Sequence, residues 1–328
     1  MKSKLLIQRA RSETGPSGLS SFPARAEITD PRPSLTIDNC QFTIHNSPEV
    51  FMLQDTKLAF IGTGVMAEAM IKGILHEELI SPDRIIGSDP HAVRGQELVE
   101  RYGIHFTADN REAADFGEVV IFSVKPQVMP HVMPDLRGHL SRNAMILSIV
   151  AGARISSIVR GTGHPAIVRS MPNTPAQVGK GMTVWTATPQ VSAKQREQTK
   201  IMLRALGDEL FVDDESYLDM ATALSGTGPA YVFLFMEALI DAGVHLGFSR
   251  KVAEQLVLQT MEGAVEIAKQ SDLHPAQLRN MVTSPGGTSA EALYELEKGA
   301  LRTILSKAVW AAYRKSKYLG DLSEKIEG

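Results

Sequence analysis

The sequence has a single cysteine, Cys40, among 328 residues. One cysteine cannot form an internal disulfide, which excludes a small extracellular scaffold stabilised by disulfides. Basic residues are not in excess either, since 34 Lys and Arg stand against 37 Asp and Glu, for a formal charge of −3. A dedicated nucleic-acid-binding protein normally carries a basic surplus, so we expect no nucleic-acid partner.

Two further kinds of segment are missing. No uninterrupted apolar run approaches the ~18–20 residues that a membrane-spanning helix requires. The nine histidines are scattered, without a His-x-x-x-His pair, and paired cysteines are absent, so the sequence signals no metal site. We therefore expect a cytoplasmic chain with no membrane partner, and its length predicts about two domains.

Residues 1–51 lack the periodic apolar pattern of the rest of the chain. They contain turn-forming stretches and five acidic residues, and the acids argue against an organelle transit peptide. We expect a poorly ordered extension, or an upstream start codon with Met52 as the working start. Cys40 falls in this segment, so we expect no catalytic role for it.

Residues 57–61 form a short apolar run that favours a β-strand, and a glycine-rich turn follows it directly. A helical pattern continues from the turn, and residues 84–88 form a second short run. Together these segments take roughly 30 residues, the length of a dinucleotide-binding βαβ unit. In such a unit Gly62 permits the tight turn, Gly64 lets the backbone approach a pyrophosphate, and Ala67 lets helix and strand pack closely. The predicted cofactor turn comprises Ile61, Gly62, Thr63, Gly64, Val65 and Met66.

An ordinary tight turn is the alternative for an isolated glycine pattern, so the neighbouring segments matter. Residues 118–124 and 145–150 are almost continuously apolar, as parallel strands buried on both faces must be. Residues 166–171 and 182–185 are further candidate strands, and helical segments separate several of these runs. The alternation predicts an α/β fold with a Rossmann-type doubly wound sheet in the N-terminal part of the chain.

The residues after the second strand bear on the choice of nicotinamide cofactor. Asp89 lies where a carboxylate can accept a hydrogen bond from the ribose 2′-hydroxyl and repel a 2′-phosphate. Arg94, five residues later, could instead pair with that phosphate. Asp89 could also simply cap the next helix, before Ala92. The sequence leaves these three interpretations open.

From residue 231 onward the pattern is helical. Residues 231–246 are apolar nearly all round, which predicts a helix buried in a core or in a subunit interface. Glu237 and Asp241 lie four positions apart on it, but nothing nearby completes an acid–base site, so we interpret them as partly solvated charges. Further helices are predicted at residues 250–269, 275–282 and 288–318.

A second glycine-rich turn, at residues 282–289, lies between two of these helices. Pro285 halts the preceding helix, and the paired glycines allow successive N–H groups to converge. The hydroxyls of Thr288 and Ser289 lie at the N-terminus of the next helix, where free amides and the helix dipole favour an anion such as a carboxylate. The alternative is that Thr288 or Ser289 only caps that helix.

Taken jointly, these motifs resemble the pyrroline-5-carboxylate reductases, enzymes of proline biosynthesis, over residues 60–319. The motifs that carry the resemblance are Ile61-Gly62-Thr63-Gly64-Val65-Met66-Ala67, Ser123-Val124-Lys125-Pro126, Arg169-Ser170-Met171-Pro172-Asn173-Thr174-Pro175, Leu224-Ser225-Gly226-Thr227-Gly228-Pro229-Ala230-Tyr231 and residues 282–289.

The resemblance implies a Rossmann domain at residues 52–215 and an all-helical domain at 216–328. The helical domain would form a homodimer with interlocked helices, and dimers could assemble further. Each active site would lie between the cofactor domain of one chain and the helical domain of another. The implied cofactor is NADP(H), with NAD(H) as the alternative, because Asp89 stands where the family commonly has Ser, Asn or Arg. Besides the cofactor turn, the residues implied to border the cofactor are Ser88, Asp89, Asn110, Ser123, Val124, Lys125, Pro126, Val150 and Ala151.

The resemblance also implies the substrate, a cyclic imine with a carboxylate, whose C=N carbon is reduced to give L-proline. An iminium accepts a hydride readily, so no dedicated general acid is required, and we assign to Ser289 the hydroxyl that hydrogen-bonds the ring nitrogen. Serine keeps the hydroxyl of the threonine that the family usually has there. The residues implied to bind the substrate are Asp272, Pro285, Gly286, Gly287, Thr288 and Ser289.

Two other functions fit part of the pattern. A β-hydroxyacid-type dehydrogenase has a similar two-domain plan, but it places a catalytic Lys early in the long helix, and residues 231–245 contain no Lys. A non-catalytic nicotinamide-binding regulator would need the cofactor turn but not the carboxylate turn.

Overall fold

Short apolar strands alternate with helices over residues 58–211, and the strands form one eight-stranded sheet. The computed structural model describes residues 53–326, so the expectations for residues 1–51, for Cys40 and for Met52 lie outside the described residues. The strands are β1 (Leu58–Ile61), β2 (Ile85–Ser88), β3 (His105–Thr107), β4 (Val119–Phe122), β5 (Met145–Ser148), β6 (Ile167–Met171), β7 (Gly181–Ala187) and β8 (Gly207–Phe211).

Helices connect these strands and then make up the rest of the described chain. The helices are α1 (Val65–His76), α2 (Ala92–Tyr102), α3 (Asn110–Phe116), α4 (Met129–Asp135), α5 (Ile155–Thr162), α6 (Ala193–Arg204), α7 (Ser216–Ala221), α8 (Gly228–His245), α9 (Arg250–Lys269), α10 (Pro275–Met281), α11 (Thr288–Lys298) and α12 (Leu301–Ile326).

The strand order is β3-β2-β1-β4-β5-β6-β7-β8. Strands β1 to β6 run parallel to their neighbours, β7 is antiparallel to β6, and β8 is parallel to β7. After β3 the chain returns to the other side of β1, so the winding direction reverses between β1 and β4. Ligands bind such sheets at this switch point, beyond the carboxyl ends of the strands. The predicted Rossmann-type doubly wound sheet is confirmed.

The central strands are buried on both faces, which explains their continuous apolar runs. Successive side chains of a strand point to opposite faces. In β1, Leu58 and Phe60 therefore belong to the core that packs under α1 and α6, whereas Ala59 and Ile61 belong to the core on the other face, under α3, α4 and α5. The sheet thus has a helical layer on each side, and its carboxyl edge is held rigidly between two cores.

Three details differ from the sequence-based expectation. The edge strands β3 and β8 were missed because they are short or half exposed, and His105–Thr107 and Gly207–Phe211 lack a continuous apolar run. The helix predicted at residues 288–318 is two helices, since the chain breaks between α11 and α12 at Gly299 and Ala300. Ala300 has a φ of 57°, a left-handed conformation that a continuous helix cannot contain.

The helical part of the chain exposes much apolar surface. No residue of α8 is buried among the described residues, although the sequence predicts a helix buried in a core or in a subunit interface. Phe233 and Leu234 are exposed by 60% and 67%. The stretch Ser216–His245 is also long and apolar enough, by length and composition alone, to cross a membrane, despite its charged residues. Core helices of soluble proteins pass the same test, so this single stretch is weak support for a membrane span.

A buried ionic network joins the sheet to the helices α7 and α12. Arg169 of β6 is 3% exposed; its Nη1 donates to Glu215 at 2.6 Å, and its Nη2 lies 3.7 Å from Asp219. Asp219 in turn accepts a hydrogen bond from Ser316 of α12 at 2.8 Å. Closer to the end of α12, Arg154 donates to Asp321 at 2.6 Å. Residues 53–326 all fall within one compact unit, and the domain boundary between residues 215 and 216 stays a prediction.

Candidate active site

The carboxyl edge of the sheet gathers the predicted cofactor residues. The cofactor turn follows β1, Ser88 ends β2 and Asp89 comes directly after it, and Asn110 begins the helix after β3. Residues 123–126 follow β4, and residues 150 and 151 follow β5. Because the carboxyl ends of parallel strands meet at one edge, segments far apart in sequence share a single site at the switch point between β1 and β4.

Gly62 is the residue on which the cofactor turn depends. Its φ of 91° is left-handed, and a Cβ atom there would lie 2.7 Å from Cγ1 of Val124. The Gly62 N–H donates to the carbonyl of Ser88 at 2.8 Å, and the Ser123 hydroxyl donates to the Gly62 carbonyl at 2.6 Å. Only glycine fits this position, and the turn is tied to both neighbouring strands.

The space beyond Gly64 fits a dinucleotide phosphate. A Cβ built on Gly64 would have no atom of the described chain within 4 Å, and α1 begins after it without a side-chain cap from any described residue. The first amides of a helix have no intrahelical partner, so here they are available to an anion, with the helix dipole behind them. Ala67 is fully buried, as its predicted packing role requires.

Asp89 is fixed against the cofactor turn. Its Oδ2 accepts hydrogen bonds from the Thr63 amide at 3.0 Å and the Thr63 hydroxyl at 3.1 Å, and its Oδ1 accepts from the His91 amide at 3.0 Å. Burial by itself would raise the pKa of Asp89, but these hydrogen bonds outweigh it and place the pKa below the ordinary value. The capping alternative is wrong, because the residue before α2 is His91 and its side chain makes no cap.

Arg94, the candidate partner for a 2′-phosphate, is already paired. Its Nε donates to the Thr63 carbonyl at 2.9 Å, its Nη1 to Glu97 at 3.2 Å and its Nη2 to Glu68 at 2.5 Å. Burial alone would raise the pKa of Glu68, but its hydrogen bonds with Arg94, Tyr102 and Arg101 bring that pKa below the ordinary value. The guanidinium therefore faces an ionised carboxylate of its own chain.

The remaining predicted cofactor residues have different surroundings. The Ser88 hydroxyl donates to Oδ1 of Asn110 at 2.8 Å, and no described residue accepts from the Asn110 Nδ2 group. An amide held at one end in this way can donate to a ligand at the other. Lys125 and Pro126 are exposed, Val150 is buried, and Ala151 is half-buried.

The second glycine turn leads into a helix whose N-terminus has no side-chain cap from any described residue. Gly286 has a φ of 68°, and a Cβ on Gly287 would lie 2.4 Å from the Ser284 hydroxyl, so both positions favour glycine. The residue before α11 is Gly287, which has no side chain to cap the helix, and Thr288 and Ser289 are the first two helical residues. The alternative that one of these hydroxyl residues is the N-cap is therefore wrong.

Within one chain, no described polar contact connects the two glycine turns. No hydrogen bond or ion pair of the described residues links the 285–289 turn to the cofactor turn. Asp272 is exposed in the connection between α9 and α10, and no described side chain pairs with it. Nor do the described residues include a group of three or more His, Cys, Asp or Glu side chains placed to hold a metal ion.

Sequence reasoning overlooked the contact that Asn173 makes between the sheet and the helices. Residues Thr222–Gly226 form a π-helical turn before α8, a rare geometry that is frequent at functional sites. The Asn173 Nδ2 donates to the Ser225 carbonyl at 3.0 Å, and its Oδ1 accepts from the Met182 amide at 2.9 Å. The position of Asn173 just after β6, at the carboxyl edge of the sheet, was the feature of the sequence that could have predicted this contact.

Two family models match the chain. The model for NADP oxidoreductase, coenzyme F420-dependent, matches residues 57–152, and the model for pyrroline-5-carboxylate reductase dimerisation matches residues 215–319. Pyrroline-5-carboxylate reductase of Synechocystis is 42% identical over 264 residues, which cover 80% of this chain and 98% of that protein. The chain belongs to the pyrroline-5-carboxylate reductase family.

Other reductases of this family agree in sequence and in structure. The Pseudomonas aeruginosa reductase is 40% identical over 81% of this chain and 97% of its own length. The solved reductase of Plasmodium falciparum, with NADP bound, superposes with a TM-score of 0.76 at 34% identity, over 82% of this chain and 99% of that one. That of Coxiella burnetii superposes with a TM-score of 0.75 at 36% identity, over 80% and 98% of the two chains.

Membership of the pyrroline-5-carboxylate reductase family gives the exposed helix α8 a physical explanation. The dimerisation model covers the whole of α8, and in a single chain a helix that packs against a partner leaves its apolar side chains exposed. Of the two environments that the sequence allows for this helix, a core and a subunit interface, the family supports the interface. Membership also decides against the β-hydroxyacid-type dehydrogenase.

Proposed function

We propose that this chain is the NAD(P)H-dependent oxidoreductase of the last step of proline biosynthesis, reducing 1-pyrroline-5-carboxylate to L-proline. The observation that carries the proposal is that a chain 42% identical to a reductase of this name has two glycine turns, each leading into a helix without a side-chain cap. We assign the turn before α1 to the dinucleotide and the turn before α11, with its two hydroxyl residues, to the carboxylate.

The cofactor half would hold NADP(H), the form present in the solved Plasmodium reductase. The amides that follow Gly64 would bind the pyrophosphate, and Asn110, residues 123–126, Val150 and Ala151 would border the rest of the dinucleotide. When bound, a reduced nicotinamide supplies the hydride that reduces the C=N carbon. The chain's own contribution is to hold the partners in position and to exclude competing reactions.

The substrate half would hold the imine by its carboxylate. The amides of Gly286 and Thr288, beside the N-terminus of α11, would bind the carboxylate oxygens, while Asp272 would border the substrate. The Gly287 amide donates to the Ser284 carbonyl at 3.1 Å, so Gly287 would border the carboxylate and hold the turn. The Ser289 hydroxyl would hydrogen-bond the ring nitrogen, which is protonated before reduction and remains as the secondary amine of proline. Since an iminium accepts a hydride readily, positioning is the main contribution of these residues.

The assembly proposed here is a homodimer built by the helical domain at residues 216–328, with a Rossmann domain at residues 52–215. The exposed apolar side chains of α8 support it, and so does the lack of any described contact between the two turns within one chain. Interlocked helices would bring the 285–289 turn of one chain to the cofactor turn of the other. A partner chain would then cover α8, and we propose a cytoplasmic enzyme with no membrane contact.

The activity is tested by following NAD(P)H oxidation by the purified chain with 1-pyrroline-5-carboxylate, against 2-hydroxyacid and 2-ketoacid controls. We expect turnover with the imine and none with the controls. Binding of a dinucleotide without imine turnover would instead support the non-catalytic regulator, and absence of turnover with either cofactor would refute the proposed reaction.

Replacement of Ser289 by alanine should lower kcat/KM for the imine by about 10–100-fold, because a hydrogen bond to a charged group contributes roughly 1.5–3 kcal/mol. The affinity for the dinucleotide, measured by fluorescence titration, should change much less. Ser289→Thr is the matched control, since it keeps a hydroxyl at the same position and should keep most of the activity. Equal losses of turnover and cofactor affinity would contradict the role assigned to Ser289.

A further inference from the structure

The sheet edge after β2 has an unusual charge arrangement for a cofactor site. In a doubly wound sheet, an acidic residue at the carboxyl end of the second strand lies beside the 2′ position of the adenosine ribose. Here Ser88 ends β2, and the next residue is Asp89, whose side chain is only 15% exposed. Thr63 holds it through two hydrogen bonds and His91 through another from its amide, so its carboxylate stays beside the turn.

The guanidiniums nearest in the chain already have partners. All three nitrogens of Arg94 donate, to the Thr63 carbonyl and to the carboxylates of Glu68 and Glu97. Arg101 also donates to Glu68. With Asp89 included, three carboxylates stand against two guanidiniums here, so the edge carries a net negative charge and offers a 2′-phosphate no unpaired guanidinium from this group.

Two further basic side chains follow strands on the same edge. Arg111, near the start of α3, has its Nη2 3.6 Å from Asp135 of α4. The His91 ring lies 2.8 Å from Oδ1 of Asp89 and is 82% exposed. Of the four groups that contact the Asp89 carboxylate, this exposed ring is the easiest for a ribose hydroxyl to replace, because the other three belong to the folded turn.

We infer that Asp89 determines the cofactor preference of this chain, so that NAD(H) binds more tightly than NADP(H). The carboxylate accepts a hydrogen bond from the 2′-hydroxyl of NAD(H) and repels the 2′-phosphate of NADP(H). NADP(H) still binds through the turn and the pyrophosphate, but with lower affinity. The inference rests on the proposed function, because it concerns the cofactor of that reaction.

The test measures the dissociation constants of NADH and NADPH separately, from the fluorescence of the bound dihydronicotinamide and with no imine present. For the native chain we expect NADH to bind about tenfold or more tightly than NADPH, a difference of roughly 1.4 kcal/mol. Asp89→Asn should reduce that ratio by about tenfold, mainly by tightening NADPH binding. Asp208→Asn is the matched control. It removes the same charge from an exposed position on β8, the last strand in the sheet order and six strands away from β2, and it should leave the ratio unchanged.

A second variant covers the case in which Asp89→Asn does not fold. Glu68→Gln takes one carboxylate from Arg94 and should tighten NADPH binding while Asp89 is intact. Tighter or equal binding of NADPH by the native chain would overturn the inference, as would an unchanged ratio in a folded Asp89→Asn variant. Binding of neither dinucleotide would refute the proposed function itself, which separates the two failures.

Discussion

Replacing Gly62 by alanine is expected to destabilise the chain and to lower its affinity for a dinucleotide. The new Cβ would lie 2.7 Å from Cγ1 of Val124 and 3.0 Å from the backbone carbon of Ser123, at a φ of 91°. Overpacking of this kind typically costs about 1–3 kcal/mol, and a non-glycine residue in a left-handed conformation adds about 1 kcal/mol. Urea unfolding followed by circular dichroism should show the loss, and NADH titration should show affinity lower by about tenfold or more.

Two other glycine variants separate the steric, conformational and binding contributions to the effect of Gly62→Ala. Gly64→Ala places its Cβ in open space at an extended backbone position, so stability should hold while the dinucleotide binds more weakly. Gly138→Ala has a φ of 84° with nothing within 4 Å, so it should show the conformational cost alone and bind the dinucleotide normally. The prediction would be contradicted if Gly62→Ala kept the native free energy of unfolding and the native affinity for NADH, since the turn would then accommodate the added Cβ without cost.

Arg169→Met is expected to lower the free energy of unfolding by about 3–5 kcal/mol, because removing one partner leaves buried charge uncompensated. Glu215 and Asp219 would both lose the guanidinium, and Asp219 is only 5% exposed. The network also ties α12 to the sheet through Ser316, so its loss should loosen the C-terminal helix. Urea unfolding at one fixed protein concentration measures the change, since the stability of an oligomer depends on concentration.

Arg84→Met is the matched control for this prediction. Arg84 pairs with Asp55, whose side chain is 96% exposed, and exposed pairs typically contribute about 0–1 kcal/mol. Similar small losses in both variants would mean that burial of the Arg169 network has no energetic consequence. Hydrogen exchange of α12 amides would add a local readout, with faster exchange expected only in Arg169→Met.

Much of the fold could be predicted because the decisive patterns are local. The runs at residues 118–124 and 145–150 are apolar on both faces, which only a doubly covered strand requires, and both are strands. The helix predicted at residues 250–269 matches α9, and in the structure the Ser249 side chain caps its N-terminus. β3 and β8 were not predicted, because an edge strand is defined by its pairing with a neighbouring strand and not by its own composition.

The candidate site divides in the same way. The tight turn at Gly62 and the helix that begins after Gly64 could be predicted from the spacing of the glycines alone, and their role in cofactor binding stays a prediction. The choice among the three interpretations of Asp89 could not be made from the sequence, because it depends on which donors reach the carboxylate. Thr63 and Arg94 lie 26 and 5 residues away from it in the chain, and only folding shows that one holds Asp89 while the other pairs with Glu68.

The sequence by itself determined the doubly wound sheet, the glycine turn between β1 and α1 and the family, because each rests on short motifs of residues close together in the chain. Tertiary structure alone decided which charges after β2 are already paired. It also decided that α8 lies exposed in a single chain rather than in its core. The physical reason is that hydrogen-bond partners and burial depend on contacts between distant segments, which no local pattern contains.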